Sequence, residues 1–430
     1  MAEFNIPNTL EEVDNNFEQI KPLMNPTMAY LESSRCLFCY DAPCMNACPT
    51  SIDIPLFIRQ IYSGNVDGAA YTIYDSNYFG NICGKVCPTE VLCEGACVYN
   101  HQDVNPIEIG RLQSFATTMV QESGKQLFSA GPSNGKKVAV IGAGPAGIAA
   151  ACELSRIGYQ VDIFEAKAEP SGLAIYGVAP YKITNEEILK EVAYLQGQFG
   201  FTINYNHPIE SEAQLTKLEG DYNAVFLGIG LGATRSLGLP GEDLENCVGA
   251  TEFIESLKIN PLETHIGKKV VVIGGGNTAM DAASEAARMG AEAVYLVYRK
   301  GKEAMSAYEF EYDLAKGVGV QGVFNASPKA ILGEGKVSGV VFTKTDGSEL
   351  SIDCDMVIKA TGQLKQTQFL DKIKGLEYDK GGKIVVNDGF QCTNPKYFAS
   401  GDAVNGGAEV VNAVGEAKKA VAAMHAYLSR

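Results

Sequence analysis

The sequence predicts an α/β protein with a helical N-terminal domain, and three observations carry that expectation. Eight of the 12 cysteines fall between Cys36 and Cys97, in a stretch with helical periodicity and little strand character. Two later segments, starting near residues 136 and 268, each run from a continuous apolar strand through a glycine-rich loop into a helix. Their loops lie 132 residues apart (274 − 142), a separation that suits duplicated domains rather than a short-period repeat.

Composition narrows the class. A chain of 430 residues has room for roughly two to four domains, and 46% hydrophobic residues are ample for their cores. A net charge of −16 argues against nucleic acid and against an anionic membrane surface, because binding to phosphate runs on lysine and arginine. An acidic surface suits a basic docking patch on a partner. The start, Met1-Ala2-Glu3-Phe4-Asn5, has neither a basic nor an apolar signal region, so no export signal is expected. No apolar run approaches the length of a membrane span. So many thiols fit a reducing cytoplasm, the expected location.

Residues 1–30 read as a polar, partly helical leader punctuated by Pro22 and Pro26. The cysteine block follows. Its first run, Cys36, Cys39, Cys44 and Cys48-Pro49, is C-x2-C-x4-C-x3-C-P; its second, Cys83, Cys87-Pro88, Cys93 and Cys97, is C-x3-C-P-x4-C-x3-C. Ferredoxin-type runs hold cubane clusters with a close triad, an outlying cysteine and a proline, the fourth cysteine serving the other cluster. Three chemistries compete for this block. Disulfides need an oxidising compartment. Structural zinc favours two CxxC pairs, and only Cys36/Cys39 is one. Two [4Fe-4S] clusters fit the pattern best. Cys152, Cys247, Cys354 and Cys392 are scattered and read as small buried hydrophobes.

Helical spacing of Ile54, Phe57, Ile58 and Ile61 predicts a helix over 53–70, and Ile107, Leu112, Phe115 and Met119 predict another over 100–122. The turn-rich segment 129–135 marks the first domain boundary. Beyond it, the apolar run 136–141 is the kind of strand found in a parallel sheet covered on both faces. Gly142-Ala143-Gly144-Pro145-Ala146-Gly147 then opens a helix, and a second strand ends at Glu165. That is the full setting of a dinucleotide fingerprint. Gly142 makes the turn, Gly144 admits the pyrophosphate, Gly147 lets helix and strand pack, and Glu165 meets the ribose. The helix N-terminus supplies N–H groups and partial positive charge to the phosphates.

The second loop, Gly274-Gly275-Gly276-Asn277-Thr278-Ala279, is the GxGxxA variant, and its second strand ends in Arg299-Lys300 instead of an acid. Basic residues there suit the 2′-phosphate of NADP, or are simply a solvated pair, so the cofactor is written NAD(P)H. Near the C-terminus one strand runs into Thr361-Gly362 and another into Gly401-Asp402, followed by a helix over 410–428. The Gly-Asp segment resembles the second flavin-contacting segment of two-dinucleotide-domain flavoproteins. The resemblance implies FAD on the first loop, nicotinamide on the second, and a NAD(P) domain inserted into the FAD domain. The expected domains are residues 1–132 (helical, with two [4Fe-4S] clusters), 133–240 with 360–430 (FAD) and 241–359 (NAD(P)).

With cysteines and loops in this order, the chain resembles the N-terminal half of dihydropyrimidine dehydrogenase over essentially its whole length, and more distantly the small subunit of glutamate synthase. The residues that carry this are Arg35-Cys36-Leu37, Asp41-Ala42-Pro43-Cys44, Cys48-Pro49-Thr50, Val86-Cys87-Pro88-Thr89 and Ile109-Gly110-Arg111-Leu112-Gln113. The resemblance implies Cys36, Cys39, Cys44 and Cys97 on one cluster, and Cys48, Cys87, Cys93 and the Gln113 amide oxygen on the other. Spacing alone nominates Cys83 in place of Gln113. The implied flavin contacts are Gly142–Ala146, Glu165 through Gly172 and Leu173, Lys182, Gly401 and Asp402. The implied nicotinamide contacts are Gly275–Thr278, Arg299, Lys300, Thr361 and Gly362. Two departures stand out: Tyr181-Lys182-Ile183-Thr184 replaces the family's Phe-Arg-Leu-Pro beside the flavin, keeping a cation without its fork geometry. Ser306 replaces an arginine that helps hold the NADPH phosphate.

The implied activity is electron input: a hydride passes from NADH or NADPH to FAD, then single electrons pass through the clusters to an FMN- or iron–sulfur-containing catalytic partner subunit in a hetero-oligomer. The cofactors supply the chemistry. No catalytic triad is expected, and no CxxC after the first glycine loop suggests a disulfide reductase. The family's pyrimidine-reducing FMN barrel does not fit within 430 residues. Alternatives are a glutamate synthase-like or electron-bifurcating transhydrogenase or hydrogenase subunit, and outside enzymes a redox sensor or assembly scaffold.

Overall fold

The computed structural model describes residues 4–430; the first three residues of the leader lie outside the described residues. The strands are β1 (Lys137–Ile141), β2 (Gln160–Phe164), β3 (Thr202–Asn204), β4 (Ala224–Leu227), β5 (Cys247–Gly249), β6 (Lys269–Ile273) and β7 (Ala293–Tyr298). They continue as β8 (Gln321–Phe324), β9 (Ala326–Glu334), β10 (Lys336–Lys344), β11 (Glu349–Asp353), β12 (Met356–Lys359) and β13 (Tyr397–Ala399). The chain divides into two compact units. One holds Lys21–Ile175, Lys182–Leu231 and Lys365–Arg430; the other holds the described residues up to Ile20, Tyr176–Tyr181 and Gly232–Leu364.

The larger unit joins the cysteine block to the first glycine loop. Its N-terminal part is helical. Asp53 accepts from the Leu56 N–H (3.0 Å) and starts the helix Ile54–Tyr62. The single helix expected over 53–70 is two helices: the chain turns at Gly64, φ +79°, and Asn65 caps a new helix, Val66–Ser76, by accepting from the Gly68 N–H (3.0 Å). The helix expected over 100–122 also differs. A 3-10 turn covers Val98–Gln102, Asp103 is left-handed at φ 54°, and the helix proper is Ile109–Ser123. Ile107 lies before it, yet is buried in the same apolar cluster as Phe57, Ile58, Leu112 and Phe115.

The five-stranded sheet of this unit has the order β13-β4-β1-β2-β3 and is parallel throughout. Val138, Ala139 and Val140 are fully buried, as a strand covered on both faces requires. The helices Pro145–Ile157 and Val410–Leu428 pack against each other on the sheet.

The second unit repeats the plan with a parallel sheet ordered β5-β12-β6-β7-β8, whose buried strands face the helix Asn277–Arg288. An antiparallel sheet, β11-β10-β9, lies between β8 and β12 in the chain and was not visible as such in the sequence. The sequence division assigned the leader to the helical domain, but its residues up to Ile20 fall in this unit: Asn16 donates to the Arg288 carbonyl (2.8 Å) and Arg288 donates back to the Asn16 carbonyl (2.6 Å). The insert boundaries fall at 231/232 and 364/365, so the insert starts nine residues before and ends five residues after the expected 241–359 (241 − 232 and 364 − 359). Among the described residues no helix is long and apolar enough to cross a membrane.

In the second unit Glu242 ties the loop after residue 235 to the end of β12. It accepts from the Leu237 N–H (2.8 Å) and from the Lys359 ammonium (2.7 Å). Burial alone would raise its pKa, but Lys359, the Leu237 and Leu239 N–H groups and the Ser236 hydroxyl override burial and lower it from 4.5 to about 2. Its stabilisation is therefore full above pH 4.5 and is lost as the pH falls towards 2. Glu242→Gln should cost roughly 1–2 kcal/mol at neutral pH, allowing for screening by water. Thermal melts should show the wild-type and variant curves converging as the pH is lowered through that window.

Candidate functional site

Each parallel register delivers its functional residues to one edge. In the first sheet Ile141 pairs with Phe164 and with Leu227, and Leu227 with Ala399. The segments that leave the carboxyl ends of these strands are therefore neighbours: the loop Gly142–Gly147, Glu165 and Gly401-Asp402. Crevices at this edge are the usual ligand sites of open α/β sheets. A side chain on Gly142 (φ +96°) would lie 2.5 Å from the Gly228 carbonyl, and one on Gly147 would lie 2.0 Å from the Gly142 carbonyl, so only glycine permits this turn. Gly144 meets nothing nearer than 3.7 Å, leaving its face open for a ligand's phosphates.

The other expected contacts gather at the same loop. Glu165 accepts from the Ala143 N–H (2.7 Å) and the Lys167 N–H (2.8 Å). The Ser171 N–H donates to the Ala143 carbonyl (2.6 Å), and Gly172 lies against Gly144, with Leu173 opening the next short helix. Pro145 and Ala146 begin the helix, and Gly401 packs on Ala146. Asp402 accepts from the Ala408 N–H (3.1 Å), and burial raises its pKa. Lys182 is buried.

The second sheet behaves likewise. Ile273 pairs with Val297 and with Lys359. Gly274 therefore abuts the Ala360 carbonyl, next to Thr361 and Gly362, and Gly275 abuts the Tyr298 ring, next to Arg299 and Lys300. Gly276, Asn277 and Thr278 lead into the helix, and Asn277 accepts from the Tyr308 N–H (3.0 Å). Ser306 donates its N–H to the Gly275 carbonyl (3.0 Å), so the residue in the arginine's place sits on the glycine loop. Arg299 and Lys300 are exposed.

The cysteines separate into two groups. Cys36, Cys39, Cys44 and Cys97 line one cavity with Ile58 and Ile109. Burial raises the Cys36 thiol, with Cys39 and Cys97 adding to it, and pushes the Cys44 thiol up to about 12. The second group is Cys48, Cys87 and Cys93, with Cys83 beside them. A hydrogen bond with Cys83 and burial raise Cys87, and burial raises Cys93, which feels Cys87 and Cys48. Gln113 is buried, its Nε2 donating to the Gly80 carbonyl (2.7 Å), the first carbonyl of the helix that Cys87 caps.

Among the described residues, no three His, Cys, Asp or Glu side chains converge closely enough to hold a single metal ion. A cubane asks for less, because each thiolate meets its own iron. The donor chemistry fits such clusters: Cys36, Cys44, Cys48 and Cys93 are partly buried against an apolar core, and a metal's positive charge stabilises thiolates in such a setting.

The second cysteine group also touches the C-terminal helix Val410–Leu428. Glu409 at its N-terminus faces Cys87, and a side chain on Gly415 would lie 3.2 Å from the Pro49 carbonyl. That helix starts shortly after Gly401-Asp402, so one element spans the flavin-type edge and the second cysteine group. Sequence reasoning missed this junction, since no local pattern links Glu409 to Cys87. It also missed Glu191, which is buried in the helix Asn185–Phe199.

Comparison with known proteins agrees with this geometry. Residues 13–125 match the family described as dihydropyrimidine dehydrogenase domain II, 4Fe-4S cluster, and residues 136–417 match the pyridine nucleotide-disulphide oxidoreductase family. The NAD-dependent dihydropyrimidine dehydrogenase subunit PreT of Escherichia coli O157:H7 is 36% identical, over 96% of this chain and 98% of its own. The glutamate synthase [NADPH] small chain of Escherichia coli K12 is 33% identical, over 94% of this chain and 92% of its own. Mycobacterium tuberculosis FprA, solved in complex with NADPH, shares the fold at a TM-score of 0.58 and 21% identity, over 68% of this chain and 84% of its own. The chain belongs to the family of NAD(P)H-dependent oxidoreductases in which a 4Fe-4S domain precedes a pyridine nucleotide-disulphide oxidoreductase module, the family that includes PreT and the glutamate synthase small chain.

Proposed function

We propose that this chain is an electron-input subunit that takes a hydride from NAD(P)H onto FAD and passes single electrons through two [4Fe-4S] clusters to a partner subunit, for pyrimidine reduction of the dihydropyrimidine dehydrogenase type. The observation that carries this reading is the grouping of both cysteine sets and the flavin-type loop in one compact unit, spanned by the helix Val410–Leu428. A nicotinamide gives two electrons together and an iron–sulfur cluster takes one, and a flavin can do both.

The chain's own residues bind and orient. Gly142–Gly147 and the helix behind them cradle the FAD pyrophosphate, Glu165 and the Gly172-Leu173 segment meet its adenosine side, and Lys182, Gly401 and Asp402 meet the flavin side. Gly274–Thr278 cradle the nicotinamide dinucleotide, flanked by Thr361 and Gly362. Arg299 and Lys300 stand where a 2′-phosphate is received, while Ser306 in the arginine's place keeps NADH open. Cys36, Cys39, Cys44 and Cys97 hold one cluster, and Cys48, Cys87, Cys93 and the Gln113 amide oxygen hold the other. The bond from Gln113 Nε2 to the Gly80 carbonyl supports that choice, because it fixes which end of the amide is available. Leu37 and the fully exposed Tyr40 flank the first set and suit an electron exit to a partner subunit.

A glutamate synthase-type partner is the second reading, favoured by the 33% identity to that small chain. Co-purification from the native host separates the two readings by the partner recovered. The isolated chain should oxidise NAD(P)H with an artificial dye and show no uracil reduction; uracil turnover by the chain alone would contradict the proposal. Gln113→Leu should lose about half of the bound iron while Cys83→Ala keeps it, as iron analysis of anaerobic protein will show. The reverse pattern would make Cys83 the ligand.

A further inference from the structure

Glu191 is fully buried in the helix Asn185–Phe199, and among the described residues no cation pairs with it. Its carboxylate accepts from the Tyr74 hydroxyl (2.9 Å), the Asn81 N–H (2.6 Å) and the Ile82 N–H (2.9 Å). Gln121, half-buried, donates to the Tyr74 hydroxyl (2.7 Å) and lies 3.5 Å from the carboxylate. Asn81 and Ile82 open the helix Gly80–Val86, whose C-terminal cap is Cys87 and whose first carbonyl receives the Gln113 amide. Five residues separate Ile82 from Cys87, roughly 8 Å along a helix axis. A charge at Glu191 is thus held at one end of the element that carries the second cysteine group at its other end.

The surroundings leave this carboxylate able to change charge. Burial raises its pKa from 4.5 to about 7, against the lowering effect of the Ile82 and Asn81 N–H groups and the Tyr74 hydroxyl. Glu187, one turn away on the same helix, raises it further but is itself paired with Lys85 of the helix Gly80–Val86. Tyr194 lies against Tyr74 and donates to the Lys125 carbonyl. From the helix Pro145–Ile157, Glu153 and Arg156 both turn to Tyr78. A structural cap accounts for the two N–H groups, one on each oxygen, but needs no acid held near neutrality, and such an acid is what proton-coupled sites display.

We propose that Glu191 is a redox-linked proton carrier, taking one proton from solvent by way of the Tyr74 hydroxyl, which Gln121 orients, when the centre held by Cys48, Cys87 and Cys93 gains one electron, and releasing it on reoxidation. The electron comes from NAD(P)H and the proton from solvent, so the buried charge is unchanged by each transfer. The inference rests on the proposed placing of a cluster at those cysteines. Glu191 is a positioning residue here, since it acts through the helix Gly80–Val86 and touches no ligand.

The test is an anaerobic redox titration of the intact, iron-loaded protein on both sides of pH 7, with cluster absorption and electron paramagnetic resonance as readouts. In the wild type, the midpoint potential of one cluster should fall as the pH rises through neutrality. In Glu191→Gln, whose single amide oxygen keeps the acceptor for one of the two N–H groups and which carries no titratable charge, the potential should be independent of pH at unchanged iron and flavin content. A wild-type potential that ignores pH, or a Gln variant that retains the wild-type slope, overturns the inference. If the variant loses its clusters, reduced-minus-oxidised infrared spectra of the wild type decide: a carboxyl band gained on reduction supports the inference, and none overturns it. A wild type with no cluster signal at all would instead overturn the proposed function on which the inference rests.

Discussion

Burial of ionisable sulfur governs this protein. The thiols of the N-terminal domain sit against an apolar helical core, and the solvent that would stabilise their thiolates is largely excluded. Removing a lone charge from water costs several kcal/mol, and the thiols of Cys36, Cys44, Cys87 and Cys93 are raised accordingly. Cys44, pushed up to about 12, states the constraint most plainly. A metal cluster resolves it by supplying the positive charge and binding several thiolates at once. The same helices that exclude water then set how the cluster's charge is felt: Glu94 and Glu409 act on Cys93 and Cys87 directly, while Glu191 lies at the start of the helix Gly80–Val86.

The two sheets answer a different constraint, the close approach of backbone to phosphate. In-register parallel strands bring their carboxyl ends to one edge, so residues distant in the chain become neighbours. Gly401 packs on Ala146 although 255 positions separate them (401 − 146), and Gly274 meets Ala360 in the same way. Duplication of this plan gives two dinucleotide-type edges in one chain, while only the first is in the unit that carries the eight clustered cysteines, Cys36 to Cys97. That division of labour makes a converter between paired and single electrons chemically coherent.

Legibility in the sequence followed the range of the interactions. The glycine loops were legible because steric demands at a strand–helix turn are local: Gly142 and Gly147 leave no room for a side chain. The cysteine spacing showed a cluster domain, but not which thiols share a cavity, since Cys97 joins Cys36 through tertiary folding. Gln113 carries no signal of its own and was named only by family resemblance. The break at Gly64 and the late start at Ile109 were hidden because apolar periodicity continues across both turns. Glu191 was invisible for a related reason: its partners lie about 110 positions away, and nothing near it in the chain distinguishes it from a surface acid. The sheet β9–β11 escaped because its strands fall inside an inserted segment, away from either glycine loop.

If half-buried thiols and glycine loops together make such a converter, the protein contains both flavin and iron–sulfur centres. Chemical analysis of anaerobically purified protein tests it most directly. The expected result is about eight iron and eight acid-labile sulfide per chain, from two cubane clusters, together with one flavin bleached by NADH or NADPH. Zinc in place of iron, no labile sulfide, or a chain without flavin would contradict it.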